Sequence, residues 1–483
     1  MYLTNSLPPH GYRPLSSAGE PMWFGPDHRM GPWSYAELVA LSHPWPVRWL
    51  FPPRPGVDPP RIVNLFAGPG GWEQGLHILD PGPEAFDVIG VELGEDAAAT
   101  ARAAGHRRIV CDVRSLDPTH PALRYVEGLI VSAPCQVWTL AGKRQGHEGR
   151  NIELLLEVFS RAVEGSFGHW HDEGECDEAD VCRICPDPEW DGHGGWTGPL
   201  LSRAEVREPV ARMTDARIGL IAETLIWSLT LTARFDSLLW LAMEQSSALP
   251  AIVLDFLGDA LDLADWCSSG YQALDAADVG LASHRRRTYF VAGRHHYVKL
   301  QAMQPSPPLS ARTAAQALGW PEGVRVNTRG VRRTNGGNEW SADREATAIT
   351  GRARSWYWAD FPERRLALGE AALLVGMPAN HPWEGSSSSA FQQIGDIVAP
   401  TEAARVLGPL LNRPWRDKVP GYLDELYGPD SQSRAAKATP RLISRRAAAA
   451  VSSSPVLPGL ADWAAPATPP RSAASGHPAP RIR

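Results

Sequence analysis

The segment RIVNLFAGPGGWEQGL, residues 61–76, decides the fold of this 483-residue chain. Residues 62–66 are mostly apolar, as expected of a buried strand, and a turn containing Gly68, Gly70 and Gly71 follows them. The residues after the turn favour a helix. Glycines at a strand-to-helix turn let the backbone approach a ligand and point the amides of the helix N-terminus at it. On these residues alone, a ligand site and a tight structural turn fit the pattern equally well.

Two further predicted strands each end in an acid. DVIGVEL, residues 87–93, carries Glu92 about 20 residues beyond the glycines, where an acid suits the hydroxyls of a ribose. RIVCDV, residues 108–113, carries Asp112, which is placed to accept a hydrogen bond from an adenine amino group. Three strand ends at this spacing predict a nucleoside pocket.

The stretch 60–293 alternates apolar strands with helical segments, which predicts an α/β fold built on a doubly wound, mostly parallel sheet. The chain divides into an N-terminal lead-in (1–59), the α/β domain (60–293) with an acidic insert (164–195), a short region without clear periodicity (294–342), a part returning to the domain (343–412), and a linker with a basic disordered tail (413–483). Residues 431–483 hold eight basic residues and one acidic residue, and too little apolar surface to fold.

Composition excludes several classes of protein. Hydrophobic residues make up 43% of the chain, yet no uninterrupted apolar run reaches about 18 residues, so no membrane span is predicted. The N-terminus lacks the basic start and apolar run of a signal peptide. Six cysteines in so long a chain do not form a disulfide framework, which favours the reducing cytoplasm. We expect a cytoplasmic monomer.

The dipeptide Pro134-Cys135 lies in the run GLIVSAPCQVWTLAGKRQG, residues 128–146. The apolar residues before it predict the end of a buried strand, and the proline then turns the chain, so the thiol is expected at the mouth of the sheet. A partly exposed cysteine near cations, here Lys143 and Arg144, is a candidate nucleophile because the thiolate is the attacking species. The alternative is a small buried hydrophobe.

These motifs together resemble the DNA (cytosine-5) methyltransferases, bacterial or phage. The matching segments occur in the family's order: FAGPGG (66–71), Glu92, Asp112, APCQVWTLAGKRQG (133–146), MEQ (243–245), ASHRRRTYFVAG (282–293), REATAIT (344–350), LGEAALLVGMP (368–378) and QQIGDIVAP (392–400). The resemblance covers about 60–412. It implies the Rossmann-like fold of S-adenosylmethionine-dependent methyltransferases, with a small target-recognition region in 294–342.

The resemblance also implies a reaction, which is methyl transfer from S-adenosylmethionine to C5 of a cytosine flipped out of double-stranded DNA. Cys135 would attack C6, Glu244 would hold or donate a proton at N3, and Arg285 and Arg287 would engage the cytosine O2 and a nearby phosphate. The implied cofactor-binding residues are Phe66, Gly68, Gly70, Gly71, Glu92, Asp112 and Pro134, and Gln136 and Thr139 are expected to line the base pocket. From the residues alone, Glu244 fits a helix cap and the arginines fit a solvated face.

The sequence departs from the family pattern at four places. The family's Glu-Asn-Val reads Glu244-Gln245-Ser246, its Gln before the paired arginines is Ser283, the Asn of its last block is Asp396, and Ala133 precedes Pro134. The nucleophile, the acid and both arginines are retained, so activity is expected.

Target recognition is expected in 294–342, which is short for such a region and predicts a target of roughly two to four base pairs. The segment RGVRRTNGGN (329–338) contains Arg332 and Arg333, and arginine suits the guanine edge in the major groove. A flexible solvated loop is the alternative interpretation.

The insert contains Cys176, Cys182, Cys185 and His193, a set that could bind zinc tetrahedrally. Against this, residues 164–191 hold ten acids and one base, which is also typical of a hydrated loop with incidental cysteines. Cys111 and Cys267 are expected in the core.

A self-protecting methylase of a restriction-modification system, acting with a cognate endonuclease, is the biological role that this interpretation suggests. RNA cytosine-5 methylation on the same fold is one alternative. A catalytically degenerate DNA-binding homologue is another, against which the retention of Cys135 and Glu244 argues, because a binding protein needs neither.

Overall fold

The computed structural model of the chain describes residues 58–437, except for 83–84, 119–122, 124, 140–144, 168, 172–194, 198–200, 308 and 329–338. The predicted lead-in, except for its last two residues, the zinc-ligand candidates of the insert, the segment 329–338 and the tail beyond 437 therefore lie outside the described residues.

A seven-stranded sheet forms the centre of the molecule, in the order β3-β2-β1-β4-β7-β9-β8. Its strands are β1 (Arg61–Leu65), β2 (Asp87–Glu92), β3 (Arg108–Val110), β4 (Gly128–Val131), β7 (Trp240–Ser246), β8 (Ser268–Asp275) and β9 (Arg286–Gly293). The first five strands in the order are parallel, and β9 is antiparallel to both of its neighbours. The predicted doubly wound, mostly parallel sheet is confirmed.

Helices cover both faces of this sheet. They are α1 (Gly71–Leu79), α2 (Glu95–Ala103), α3 (Gly149–Phe167), α4 (Arg203–Arg207), α5 (Glu223–Phe235), α6 (Ala251–Asp262), α7 (Ala314–Leu318), α8 (Leu368–Leu374), α9 (Ser387–Asp396), α10 (Pro400–Leu410), α11 (Lys418–Leu426) and α12 (Pro429–Ala435). Side chains alternate along β1, so Ile62 joins the core beneath α1 and α10, whereas Val63 joins the core beneath α3, α5 and α6. Burial on both faces explains why the central strands are apolar runs.

One helical segment of the described chain, Ala216–Phe235, is long and apolar enough to cross a membrane by length and composition alone. However, 72% of its most apolar window is buried inside the protein, where Leu225, Trp227 and Leu229 are fully covered. It is therefore a core helix of the sheet.

A small antiparallel sheet lies beyond β9 in the sequence, in the order β11-β10-β12-β13. Its strands are β10 (Arg325–Asn327), β11 (Glu339–Ser341), β12 (Tyr357–Trp358) and β13 (Phe361–Arg365). The expected target-recognition region ended at residue 342, so the sheet has strands on both sides of that boundary. Its β10-to-β11 connection is the segment that holds Arg332 and Arg333.

The acidic insert begins and ends in a two-stranded pairing. β5 (His169–His171) is antiparallel to β6 (Gly195–Thr197), and the two strands bring the ends of the insert together. Cys176, Cys182, Cys185 and His193 lie between them, outside the described residues.

Residues 413–437 differ from the expected linker, because α11 and α12 are ordered there. Val419, Leu423 and Leu426 recur at helical spacing and are buried, so α11 has the apolar face that anchors it to the domain. The expected core position of Cys267 is also wrong. This residue is exposed just before β8, which is the edge strand of the main sheet.

Candidate active site

The glycine turn between β1 and α1 has the backbone that its sequence predicts. Phe66, Gly68 and Gly70 have φ values of 57°, 55° and 116°, and the value at Phe66 is a strained one for a residue with a side chain. A Cβ added at Gly68 would meet nothing within 4 Å, so this glycine opens onto free space. At Gly70, by contrast, a Cβ would lie 2.7 Å from the His106 ring, so the lack of a side chain here serves close packing.

Glu92 is fixed at the end of β2 by two backbone amides. The amide of Gly68 donates to Oε2 (2.8 Å) and the amide of Gly94 donates to Oε1 (2.7 Å). Each carboxylate oxygen retains a further lone pair for a ligand. The glycine turn therefore positions the acid that the sequence assigned to ribose binding.

A cavity of about 840 Å³ opens at the carboxyl ends of the parallel strands, where ligands bind in open α/β sheets. Of the predicted cofactor residues, it is lined by Phe66, Gly68, Gly71, Glu92, Asp112 and Pro134; Gly70 is not among its lining residues. Of the predicted catalytic residues, Cys135, Glu244 and Arg285 line the same cavity. Its volume falls within the range of small-molecule sites.

Asp112 follows β3 and lies on the cavity wall. Its carboxylate pairs with Arg114, whose Nη2 is 2.6 Å from Oδ2, and this hydrogen bond holds the pKa of Asp112 below its usual value. The acid is therefore ionised and able to accept a further hydrogen bond.

Cys135 lies in the turn that follows β4. Its carbonyl accepts from the amides of Trp138 (3.0 Å) and Thr139 (3.2 Å), which begins a helical turn immediately after the cysteine. Gln136 lines the cavity, but Thr139 is not among the residues that line it. Lys143 and Arg144, the cations expected nearby, lie outside the described residues.

Gln245, where the family has Asn, supports this turn. Its Nε2 donates to the carbonyl of Ala133 (3.0 Å), and its Oε1 accepts from the amide of Ser246 (2.8 Å). The side chain is fully buried, so both bonds are shielded from water. Gln245 thus ties the cysteine turn to β7, the strand that carries Glu244.

Glu244 and Arg287 form an ion pair on neighbouring antiparallel strands. The Nε of Arg287 is 3.0 Å from Oε1 of Glu244, and only 7% of the Glu244 side chain is exposed. Burial raises the pKa of Glu244, while Arg287 and Arg285 act to lower it. The result is a carboxyl group that takes up a proton more readily than an exposed glutamate.

Arg285 connects this part of the site to residues 392–400, the last segment that resembles the family pattern. Its Nη1 donates to the carbonyl of Gly395 (3.0 Å), and its amide donates to Oδ1 of Asp275 (2.9 Å). Complete burial lowers the pKa of Arg285 to about 10, and the neighbouring charge of Arg287 adds to that effect.

The Cys135 thiol has a pKa above its ordinary value. Burial is the main cause, and the negative charges of Glu244 and Asp396 add to it, whereas Arg287 and Arg285 act in the opposite direction. The resting site therefore holds a thiol whose ionisation depends on the two arginines.

Two groups of residues here were not assigned by the sequence. Arg108 Nε and Nη2 donate to the carbonyls of Gly68 (3.2 Å) and Ala67 (3.4 Å), and His381 bonds to the carbonyl of Pro69 (3.2 Å), so the glycine turn is held from below. Asp396 departs from the family pattern, and the sequence does not predict its place in the cavity wall. No sequence signal connects Arg108 or His381 to the turn.

Within the described part of the chain, no group of three or more His, Cys, Asp or Glu side chains could hold a metal ion.

Residues 60–165 match the family model of the C-5 cytosine-specific DNA methylases. The resemblance seen in the sequence is confirmed for this segment. It contains the glycine turn, Glu92, Asp112 and Cys135, whereas Glu244, Arg285 and Arg287 lie beyond it. No curated protein sequence matches the chain.

Several solved methyltransferase structures are similar to the chain at low sequence identity. An E. coli prophage protein assigned as a DNA modification methyltransferase is 14% identical over 73% of this chain and 99% of its own, with a TM-score of 0.43. The Entamoeba histolytica methyltransferase EhMeth is 12% identical over 74% and 98%, with a TM-score of 0.45. The S. pombe Dnmt2 methyltransferase is 10% identical over 73% and 98%, with a TM-score of 0.43.

Proposed function

We propose that the protein transfers a methyl group from S-adenosylmethionine to C5 of cytosine in double-stranded DNA, through a covalent adduct with Cys135. One observation carries this proposal: Cys135, Glu244 and Arg285 come from distant parts of the sequence and line one cavity, with Arg287 paired to Glu244. A nucleophile, a protonatable acid and two cations are the groups that activation of a cytosine ring requires.

The other end of the cavity fits the adenosine part of S-adenosylmethionine. Glu92 offers free lone pairs for ribose hydroxyls, Asp112 is an ionised acceptor for the adenine amino group, and Gly68 leaves space for close approach. Phe66 provides an apolar ring on the same wall. When bound there, S-adenosylmethionine supplies an electrophilic methyl group on its sulfonium.

The chain's own residues prepare the base. C5 of cytosine is a poor nucleophile, and bond formation between Cys135 Sγ and C6 moves the ring electrons so that C5 becomes the nucleophilic carbon of an enamine. Glu244 gives N3 the proton that balances this shift, which its raised pKa favours. Arg285 and Arg287 hold O2 and the phosphate. C5 takes the methyl group, and the neutral thioether S-adenosylhomocysteine is the leaving group. A water molecule then takes the C5 proton and Glu244 takes back the N3 proton. The C5–C6 double bond re-forms and Cys135 leaves as the thiolate.

Duplex DNA as the substrate requires base flipping, because the ring edge and face are covered in a stacked helix. The exposed Arg286, beside Arg287, is suited to a phosphate at the cavity mouth. We place sequence recognition on Arg332 and Arg333 in the connection between β10 and β11. Self-protection against a cognate restriction endonuclease, by a cytoplasmic monomer, is the biological role that we infer.

The direct test is bisulfite sequencing of plasmid from cells that express the protein, combined with a trapping assay. Wild-type protein should methylate cytosine at a defined short site and form a covalent complex with duplexes that carry 5-fluorocytosine, since the C5 fluorine cannot be eliminated. Cys135→Ala should lose both signals. Cys267→Ala, which removes an exposed thiol away from the cavity, should keep both.

Three outcomes would count against parts of this proposal. Full methylation by Cys135→Ala would remove the covalent mechanism. Methylation of structured RNA with none of duplex DNA would leave the cytosine chemistry in place and overturn the substrate. Absence of methylation in either polymer by well-folded protein would favour a binding protein.

A further inference from the structure

Asp396 is the last residue of α9, and its carboxylate is exposed into the cavity that also contains Cys135 and Glu244. Gln392, one turn earlier, donates from Nε2 to Oδ2 of Asp396 at 2.6 Å and so fixes the direction of the side chain. The carbonyl of the preceding residue, Gly395, accepts from the buried Arg285. This end of the helix is therefore held rigidly against the reaction centre.

An acid at this position is unfavourable for the helix itself. The C-terminal end of a helix carries partial negative charge, which favours a cation and disfavours a carboxylate. No cation forms a direct ion pair with it: among the described residues, no lysine or arginine nitrogen lies within 4.0 Å of the Asp396 carboxylate, and Arg285 and Arg287 act on it only from a longer distance. The helix end and the carboxylate together present unpaired negative charge to the cavity.

The cavity as a whole is lined by more acids than bases. The acids are Glu92, Glu95, Asp96, Asp112, Glu244 and Asp396, and the bases are Arg114, Arg217 and Arg285. Two of these arginines are already paired, Arg114 with Asp112 and Arg217 with Asp215. The lining therefore favours a ligand that carries positive charge.

The proposed cofactor and its product differ in charge, and this step rests on the proposed function. S-adenosylmethionine has a positive sulfonium, whereas S-adenosylhomocysteine has a neutral thioether in its place. The methyl group goes to the carbon next to the one that Cys135 attacks, so the sulfonium has to come to the Cys135 side of the cavity. Asp396 acts electrostatically on Cys135, on Glu244 and on Arg285, which places its charge on that side.

We propose that Asp396 is a specificity-determining residue that favours the cationic S-adenosylmethionine over its neutral product, S-adenosylhomocysteine, and so limits product inhibition. An asparagine, the residue that the family pattern has at this place, lacks the charge for such a preference. A carboxylate and a cation a few ångströms apart in a partly shielded site interact strongly enough for a several-fold effect on affinity.

The test is calorimetric binding of both ligands to wild-type protein, Asp396→Asn and Asp262→Asn. The control removes the same charge from the last residue of another helix, α6, outside the cavity. Asp396→Asn should raise the Kd of S-adenosylmethionine by about five- to tenfold and change the Kd of S-adenosylhomocysteine by less than about twofold. Asp262→Asn should leave both values at the wild-type level.

A second measurement uses wild-type protein alone and does not depend on the folding of a variant. Burial raises the pKa of Asp396, and the charged groups facing it are Glu244, Cys135, Arg285 and Arg287. The preference requires the ionised carboxylate, so the ratio of the two Kd values should shrink as the pH falls from about 8 to about 5. In Asp396→Asn the ratio should change less over that range.

The outcomes separate this inference from the proposed function. Equal effects of Asp396→Asn on both ligands, or a wild-type ratio that does not depend on pH, would overturn the role of Asp396 and leave the methyltransferase proposal intact. No binding of either ligand by folded wild-type protein would overturn the proposed function itself.

Discussion

Arg287 acts electrostatically on both Cys135 and Glu244, the two groups that exchange protons or electrons with the base in the proposed reaction. Its positive charge lowers both pKa values against the opposing effect of burial. Removing that charge in Arg287→Met should raise the pKa of Cys135 further, so that the thiolate forms only at higher pH. The single-turnover rate of methyl transfer should therefore have a pH profile whose midpoint lies at higher pH than that of the wild type.

The matched control for this prediction is Arg286→Met, which removes the exposed neighbouring arginine. It should leave the midpoint of the pH profile unchanged, even if it weakens DNA binding. A lower rate in Arg287→Met with the wild-type midpoint would mean that Arg287 only contacts DNA and does not tune the thiol.

Gln245 supports a second prediction. Gln245→Ala leaves the buried carbonyl of Ala133 and the amide of Ser246 without partners, and each loss costs about 1–3 kcal/mol. Urea unfolding should show a loss of about 2 kcal/mol or more, with a lower kcat because the Cys135 turn loosens. Gln301→Ala, at an exposed position, should be neutral. Wild-type stability of Gln245→Ala would show that the turn is held by other contacts.

The sequence predicted which residue types meet at this site but not how they are supported. Cys135, Glu244, Arg285 and Arg287 could be assigned because each lies in a block with a recognisable pattern. The bond from Gln245 to the carbonyl of Ala133 joins residues that are 112 positions apart, and it depends on β4 and β7 being neighbours. Strand order is set by long-range pairing, which a local pattern does not contain.

The glycine turn between β1 and α1 shows the same division between local and long-range information. Its three glycines and the following helix could be predicted, because φ above zero at Gly68 and Gly70 is a local requirement. The side chains that hold the turn come from distant segments. Arg108 is on β3 and pairs with the buried Glu73 of α1 (2.7 Å), and His381 comes from the loop after α8.

His381 makes the stability of this region dependent on pH. Burial lowers its pKa from 6.5 to about 3, so the folded protein keeps the ring neutral where the unfolded chain takes up a proton. Stability should therefore fall as the pH falls from about 6.5 towards 3, with a contribution on the order of 2 kcal/mol already lost at about pH 5. Urea midpoints at several pH values measure this loss.

His381→Gln is the informative variant, because an amide can still donate to the carbonyl of Pro69 but does not titrate in this range. Its stability should fall less steeply with acid than that of the wild type. Identical slopes for the two proteins would assign the acid sensitivity to other groups, such as His106, whose pKa is also lowered by burial.

Short exposed strands lack the apolar pattern from which a strand can be predicted. β13 reads Phe-Pro-Glu-Arg-Arg and is largely exposed, so it lacks the apolar alternation of a half-buried strand. Its partner β12 has only two residues. The small sheet consequently extends further along the chain than the region assigned to target recognition.

For the whole molecule, the fold class followed from the alternation of apolar strands and helices along 60–293. The position of β9 between β7 and β8 could not be predicted from this alternation. A buried strand has the same apolar pattern whether it pairs parallel or antiparallel with its neighbour. The C-terminal helices were missed for another reason. The apolar repeat of α11 spans only nine residues, which include the helix-disfavouring Pro420 and Gly421, and it becomes significant only once it packs on the domain.

Those helices give the last prediction, which concerns truncation. α11 buries Val419, Leu423 and Leu426, and Lys418 donates to the carbonyl of Leu79 (2.5 Å). Tyr427, which follows α11, accepts from the amide of Ala282 (3.1 Å), just ahead of the arginine block. Burial of each large apolar side chain contributes about 1.5–3 kcal/mol, so their joint loss approaches the whole stability of a typical domain.

A chain ending at residue 412 should therefore lose cooperative unfolding and near-UV circular dichroism. A chain ending at residue 437 keeps every contact described above and should unfold like the full-length protein. Leu423→Ala, which opens a cavity under α11, should show an intermediate loss of about 2–5 kcal/mol. A cooperative transition at the wild-type midpoint in the chain ending at 412 would mean that these helices cover the domain without stabilising it. The expected order of stability is the chain ending at 437, then Leu423→Ala, then the chain ending at 412. This order would link α11 to the arginine block, and through it to the candidate active site.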